Sequence, residues 1–327
     1  MPASAFPFVL SPPVMLAPMA GITDLPFRSL VATFGAGLVV SEMVASQDML
    51  NARPGSREKA ELGLGQVGTA VQLAGREAAP MAEAARMVEG QGAQVIDINM
   101  GCPAKKVTQG FSGSALMRTP DHALTLIEAV VNSVQIPVTL KTRLGWDDGL
   151  LNAPDIARRA EAAGIRLITI HGRTRCQFYK GRADWAAINA VKRAVSIPVI
   201  ANGDIIDTAS ARHALKLSGA DGIMIGRGVR GRPWLLAQIA HDLFATPAPV
   251  VPKAKQYAEM VAQHYDAMIA FYGPDVGLRV ARKHLGWYMD SCATPQDLRQ
   301  AVLRATSIRE TQALILQACA FDQLVAA

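Results

Sequence analysis

Val95-Ile96-Asp97-Ile98-Asn99-Met100-Gly101-Cys102-Pro103-Ala104-Lys105-Lys106 is an apolar run of strand length that ends in a thiol, a proline and two lysines. It reads as a buried strand over 95–99 that delivers Cys102 into a basic loop. Catalytic groups concentrate where a rigid strand releases the chain into a loop, and the lysines suit a polyanion. Outward from this point the same punctuation recurs. Short apolar runs at 14–17, 38–41, 70–73, 138–141, 167–171, 199–201 and 222–225 alternate with amphipathic stretches such as 77–89, 120–134, 154–163 and 184–194. Alternating strand and helix units build a parallel sheet. Eight such strands predict an α/β fold of the (β/α)8 (TIM) barrel type rather than an open doubly wound sheet. Pro120 and Pro154 suit the first turn of their helices, and Ile136-Pro137-Val138 and Ile197-Pro198-Val199 each follow a helix and open a strand.

After Phe244 the stretch Thr246-Pro247-Ala248-Pro249-Val250-Val251-Pro252 breaks helical periodicity, and no strand signal follows it. The expected organisation is a barrel over 1–245 and a small C-terminal all-helical domain over 246–327. The latter reads as roughly four helices, with Thr294 as an N-cap before Pro295.

With 327 residues, 50% hydrophobic and 18% charged, the chain can bury a large core. Its formal charge of +6 admits an anionic partner without requiring one. Cys102, Cys176, Cys292 and Cys319 lie far apart, with no Cys-x-x-Cys pair and no Cys/His cluster at zinc spacing, so neither a disulfide framework nor a metal is expected. The N-terminus lacks a basic leader and is broken by Pro2, Pro7, Pro12 and Pro13, and no apolar run reaches membrane-spanning length. A cytoplasmic protein without a membrane partner is the expectation, and no obligate protein partner is evident.

In a barrel of this kind chemistry belongs at the C-terminal strand ends. Those ends carry Ala17-Pro18-Met19-Ala20-Gly21, Gln72, Asn99 with Cys102, Lys141 with Arg143, His171 with Arg173, Asn202-Gly203-Asp204 and Gly226-Arg227-Gly228. Glycines after the seventh and eighth strands allow close backbone approach to an anion, the usual phosphate position of the fold. The loop from His171 to Arg182 holds Arg173, Arg175, Lys180 and Arg182, no acid, and the adjacent rings Phe178 and Tyr179. That combination suits phosphate contacts and stacking on a splayed base.

These strand-end motifs, together with Val71-Gln72-Leu73, Leu140-Lys141-Thr142-Arg143 and Asn202-Gly203-Asp204-Ile205, resemble in order those of the flavin-dependent tRNA-dihydrouridine synthases, most closely the bacterial synthase B branch. The resemblance spans nearly the whole chain. It implies reduction of the C5–C6 double bond of a D-loop uridine in tRNA, using FMN recharged by NADPH, with NADH as the alternative reductant. By the same resemblance Ala17, Pro18 and Met19 lie under the flavin, and Gln72 and Lys141 meet its pyrimidine edge. His171 joins the cofactor set, with flavin contact, orientation of the base and phosphate binding as its alternative roles, while Asn202, Gly203, Asp204, Gly226 and Arg227 hold the ribityl chain and phosphate. Hydride passes from flavin N5 to uridine C6, and Cys102 supplies the proton to C5. A thiol is mostly protonated at neutral pH and donates without tuning. The implied substrate contacts are Asn99, Arg143, Arg173, Arg175, Arg279, Arg282 and Lys283, the last three sharing one face of a tRNA-binding helix. That helix is a local feature, because residues 246–327 hold eight Lys/Arg against seven Asp/Glu.

Two other readings compete. A dihydroorotate dehydrogenase-like flavin oxidoreductase of a free pyrimidine shares the cofactor logic but needs neither the basic 171–182 loop nor the helical domain. A non-enzymatic tRNA-binding protein would keep the barrel as scaffold but would not need Lys141, His171 and Cys102.

Overall fold

The computed structural model describes residues 10–51, 53, 59–62 and 68–321. The prolines at 2 and 7 lie outside them. Eight staves close a parallel barrel: β1 (Val14–Leu16), β2 (Leu38–Val40) with its continuation β3 (Val44–Ala45), β4 (Thr69–Ala74), β5 (Val95–Asn99), β6 (Val138–Arg143), β7 (Leu167–His171), β8 (Val199–Asn202) and β9 (Gly222–Ile225). Every pairing is parallel, and β9 closes onto β1 through Met15↔Met224 and its neighbours. The expected strands are all present, with two refinements. The second stave is interrupted at Ser41-Glu42-Met43, so that β2 and β3 both pair with β4. The fifth runs on to Arg143, because Thr142 and Arg143 keep pairing with Ile170 and His171.

Burial on both faces makes these strands near-continuous apolar runs. One face fills the barrel with Met15, Ala17, Leu38, Val40, Ala70, Val95, Leu167, Ile200 and Met224. The other packs against the surrounding helices, as where Ile96 and Ile98 meet Val88, Leu126 and Ile127. Full burial of such a side chain contributes about 1.5–3 kcal/mol. Local signals agree with this packing. The first helix, α1 (Leu25–Thr33), has Pro26 in its first turn and Asp24 as N-cap, whose carboxylate accepts from Phe27 N at 3.0 Å.

Residues 245–253 form no helix or strand. Beyond them, among the described residues, come four helices: Ala254–Tyr272, Pro274–Asp290, Gln296–Arg304 and Ile308–Ala318. Their core centres on Tyr257, Tyr265, Met268, Leu285, Tyr288 and Ile315. It continues into the barrel through α1, where the Phe27 ring lies 5.7 Å from His264 and 5.2 Å from His284. Tyr272 Oη donates to Asp24 Oδ2 at 2.9 Å, and Tyr257 Oη donates to Gly231 O at 3.2 Å. One sequence expectation is corrected here. Thr294 is not an N-cap: the helix starts at Gln296, and the Thr294 hydroxyl donates instead to Ala318 O at 2.6 Å, tying down the end of the last helix.

Candidate active site

The C-terminal strand ends surround a cavity of about 640 Å³, within the range of small-molecule sites. Ala17, Pro18, Met19, Gln72, Asn99, Cys102, Lys141, Arg143, His171, Arg173, Asn202, Gly203, Asp204, Gly226 and Arg227 all line it. One polar chain runs through its floor. Thr139 Oγ1 donates to Asp97 Oδ1 at 2.7 Å, and Gln72 Nε2 to Asp97 Oδ2 at 2.6 Å. Asn99 Nδ2 then donates to Gln72 Oε1 at 2.7 Å, while Asn99 Oδ1 accepts from Gly101 N at 3.2 Å and Cys102 N at 3.0 Å. The loop bearing the thiol is thus hung from two adjacent strands through side-chain amides. Gln72 and Asn99 each keep a second amide N–H.

Lys141 is buried, and its Nζ donates to Asn202 Oδ1 at 3.1 Å. Asn202 is itself fixed, donating from Nδ2 to Met224 O at 2.8 Å. Burial, reinforced by Arg143, lowers the Lys141 pKa to about 8, against a weaker opposing pull from Asp97. A buried ammonium with one neutral partner and two donors to spare is prepared for an electron-rich group in the cavity. His171 is held well below the usual histidine range, first by burial and then by Lys141, Arg143, Arg173 and Arg227. Its Nε2 faces Arg173 Nη1 at 3.3 Å. A guanidinium only donates, so this geometry leaves Nε2 as the acceptor and puts the ring proton on Nδ1.

The arginines divide by role. Arg173 places Nη1 and Nη2 on Asp204 at 2.9 and 2.5 Å, Nε on Lys180 O at 3.0 Å and Nη2 on Gly181 O at 2.7 Å. With His171 added, every N–H of this guanidinium has a protein partner, so Arg173 braces the 171–182 loop and is not free for an RNA phosphate. Arg143 likewise holds Gly101 O, Thr174 O and Phe178 O, at 2.7, 2.9 and 2.9 Å. Arg227, half exposed, lies over the Tyr179 ring and 4.0 Å from Asp204. Arg175 lies 4.7 Å over Trp146 and 4.8 Å over Phe178. Gly203, at φ +112, has no room for a Cβ, which would come within 2.9 Å of His171 and Ala183.

On the C-terminal helices Arg279 and Arg282 lie apart from the cavity lining, Arg279 more exposed than its neighbours toward the core. Arg282 reaches Ala305 O at 3.4 Å. Lys283 turns toward the barrel, its Nζ 3.2 Å from where a Cβ on Gly21 would stand. Glu42 is a residue to which the sequence assigned no role. It occupies the break between β2 and β3, is buried, and its carboxylate accepts a hydrogen bond from Gly21 N, fixing the loop after β1. Its signal was available as an acid at a strand end. Tyr179, one of the two rings of the basic loop, stands half-exposed on the cavity wall between Arg143 and Arg227.

Fold and site together define a (β/α)8-barrel enzyme whose strand ends bring a buried cation, a thiol and several glycines to one cavity. The chain belongs to the dihydrouridine synthase (Dus) family, whose model matches residues 15–324. It is 64% identical over 310 residues to a "Probable tRNA-dihydrouridine synthase" of Rhodobacter capsulatus, covering 94% of this chain and 95% of that one. It is 46% identical over 321 residues to "tRNA-dihydrouridine synthase B" of Xanthomonas campestris pv. campestris, covering 98% and 96%. Among solved structures, histamine dehydrogenase from Rhizobium sp. 4-9 shares the fold with a TM-score of 0.52 at 12% identity, over 81% of this chain and 50% of that one.

Proposed function

We propose that this protein reduces the C5–C6 double bond of a D-loop uridine in tRNA, with FMN as its bound cofactor and NADPH as reductant. The observation that carries the reading is the convergence of Lys141 and Cys102 on one cavity from neighbouring strands, β6 and the loop after β5. The residues present fit the cofactor. Ala17 and Met19 offer an apolar face, and a Cβ built on Gly226 would stand 3.8 Å from Ala17 and 3.7 Å from Met19, leaving that wall low. Gly203, Gly226 and Arg227 supply close backbone approach and a cation for a phosphate, and Lys141 suits the electron-rich edge of the ring.

When bound, FMN supplies the hydride for C6 of the base. The chain's own residues do the rest. Lys141 offsets negative charge at the cofactor edge. Asn99 Oδ1 accepts from the backbone N–H groups of Gly101 and Cys102, so the thiol is presented without free rotation of its loop. Cys102 Sγ holds the proton that C5 requires, and regains one from water. The base must leave the RNA stack to enter the cavity, and Tyr179 and the cationic 173–182 loop border its path.

Anaerobic reduction of the holoenzyme with NADPH, followed by addition of unmodified tRNA, tests the reading. Flavin absorbance is expected to return with tRNA and not with free uridine. Recovery with a free pyrimidine instead would establish the small-molecule reductase. Cys102→Ala is expected to keep its flavin and its NADPH oxidation while dihydrouridine formation falls by at least ~10²-fold. Normal turnover on tRNA by that variant would remove the thiol from the mechanism.

A further inference from the structure

We propose that Phe111 is a stacking wedge for the substrate RNA, engaging a base beside the one presented to Cys102; this rests on the tRNA reaction proposed above. Phe111 is 64% exposed, more than any other aromatic side chain among the described residues, and it does not line the cavity. It belongs to the same loop as the thiol. Ser114 donates to Cys102 O from both N and Oγ, at 3.1 and 2.8 Å, and a Cβ built on Gly113 would lie 3.3 Å from Cys102 Cβ. Two residues span at most ~7.6 Å between Cα atoms. The Phe111 Cα therefore stands no more than about two base steps, at ~3.4 Å each, from that of the residue packed against the thiol.

The backbone at Phe111 is held at φ +55. A bulky side chain there is an outlier, whereas glycine would adopt the same turn freely. The turn itself is made by the main chain, through Phe111 N to Thr108 O at 3.2 Å and Ser112 N to Val107 O at 3.4 Å. The ring contributes to neither bond and faces water. The segment around it carries cations. Lys105 and Lys106 are exposed on the short helix Lys105–Thr108. Arg118 and Arg175 lie 4.2 and 4.7 Å over Trp146, and Arg175 Nη2 donates to Thr108 Oγ1 at 3.4 Å. An exposed ring on a cation-bearing loop that is tied to the backbone of Cys102 has the chemistry of a side chain that stacks on the neighbour of a flipped nucleotide.

Phe111→Gly and Phe111→Trp in the holoenzyme test this. The glycine variant relieves the backbone, so its melting temperature is expected to hold or rise and its NADPH-driven flavin reduction to stay unchanged. Its single-turnover dihydrouridine formation on tRNA is expected to fall about tenfold, the scale of one lost stack. The Phe111→Trp variant is expected to keep wild-type turnover, and the emission its new indole adds is expected to be quenched by tRNA. Turnover by Phe111→Gly equal to wild type, or an added indole emission indifferent to tRNA, would overturn the wedge alone. A wild-type enzyme that forms no dihydrouridine on any tRNA would overturn the parent reaction and the wedge with it.

Discussion

Lys141 shows how much one burial decides. Its pKa of about 8 lies below the 10.5 of an exposed lysine, so between those values the unfolded chain binds more protons. The cofactor-free protein is therefore expected to gain stability through this group as pH rises across that window. Affinity for an anionic ring edge runs the other way. Reduced-flavin binding is expected to weaken as pH passes about 8, by up to ~10-fold per unit, and to lose that dependence in Lys141→Met. A fluorescence titration between about pH 7 and pH 9.5 reads it; identical profiles for both proteins would detach Lys141 from the flavin edge. The residue and its partner type were legible in the strand-end motif, but its single neutral partner, Asn202, was not. Asn202 comes from a strand 61 positions along the chain.

At the scale of elements, the loop after β5 is the piece on which chemistry depends. Cys102 N hangs from Asn99, Cys102 O is held by Ser114, and Gly113 at φ +59 closes the turn. A Cβ at Gly113 would stand 2.8 Å from Val107 Cγ1 and 2.9 Å from Cys102 O. Gly113→Ala is expected to displace the thiol, cutting dihydrouridine formation by ~10²-fold while NADPH oxidation continues. It should also cost about 1–3 kcal/mol of stability. Matching kcat values for variant and wild type would show that the loop tolerates the shift. Residues 109–114 carry two glycines and two serines. The structure folds that stretch back onto Cys102, because Ser114 finds a carbonyl twelve residues earlier. A similar non-local preference explains Arg173 and Arg143. The resemblance placed both among the substrate contacts; in the fold Asp204 engages Arg173, and backbone carbonyls distant in sequence engage Arg143.

At the scale of the whole molecule, the C-terminal helices are seated on α1, with Lys283 turned toward Gly21 in the loop after β1. Asp24 sits in that joint, capping α1 and accepting from Tyr272. Burial raises its pKa to about 6, more than the Phe27 N–H and Tyr272 bonds lower it, with Glu42 adding repulsion and Lys283 attraction. The folded state then binds the extra proton between about 4 and 6, so this group's contribution to stability is lost as pH rises through 6. Asp24→Asn keeps a capping oxygen and is expected to be more stable than wild type at about pH 7, by about 1–3 kcal/mol, and equal to it at about pH 4. Denaturation at both pH values checks this; a constant difference would mean that Asp24 is ionised throughout.

Sequence by itself determined the barrel and its order of strands, because full burial writes each strand as an apolar run and each helix as a period of about 3.6 residues. It also determined which strand ends carry chemistry, since thiol, lysine and glycine positions are local. The helix starting at Gln296, the break at Ser41-Glu42-Met43, the Glu42 hold on Gly21 and the commitment of Arg173 to Asp204 were decided by tertiary structure alone. Each depends on a partner distant in sequence, and hydrogen-bond satisfaction in a buried site is settled only when those partners meet.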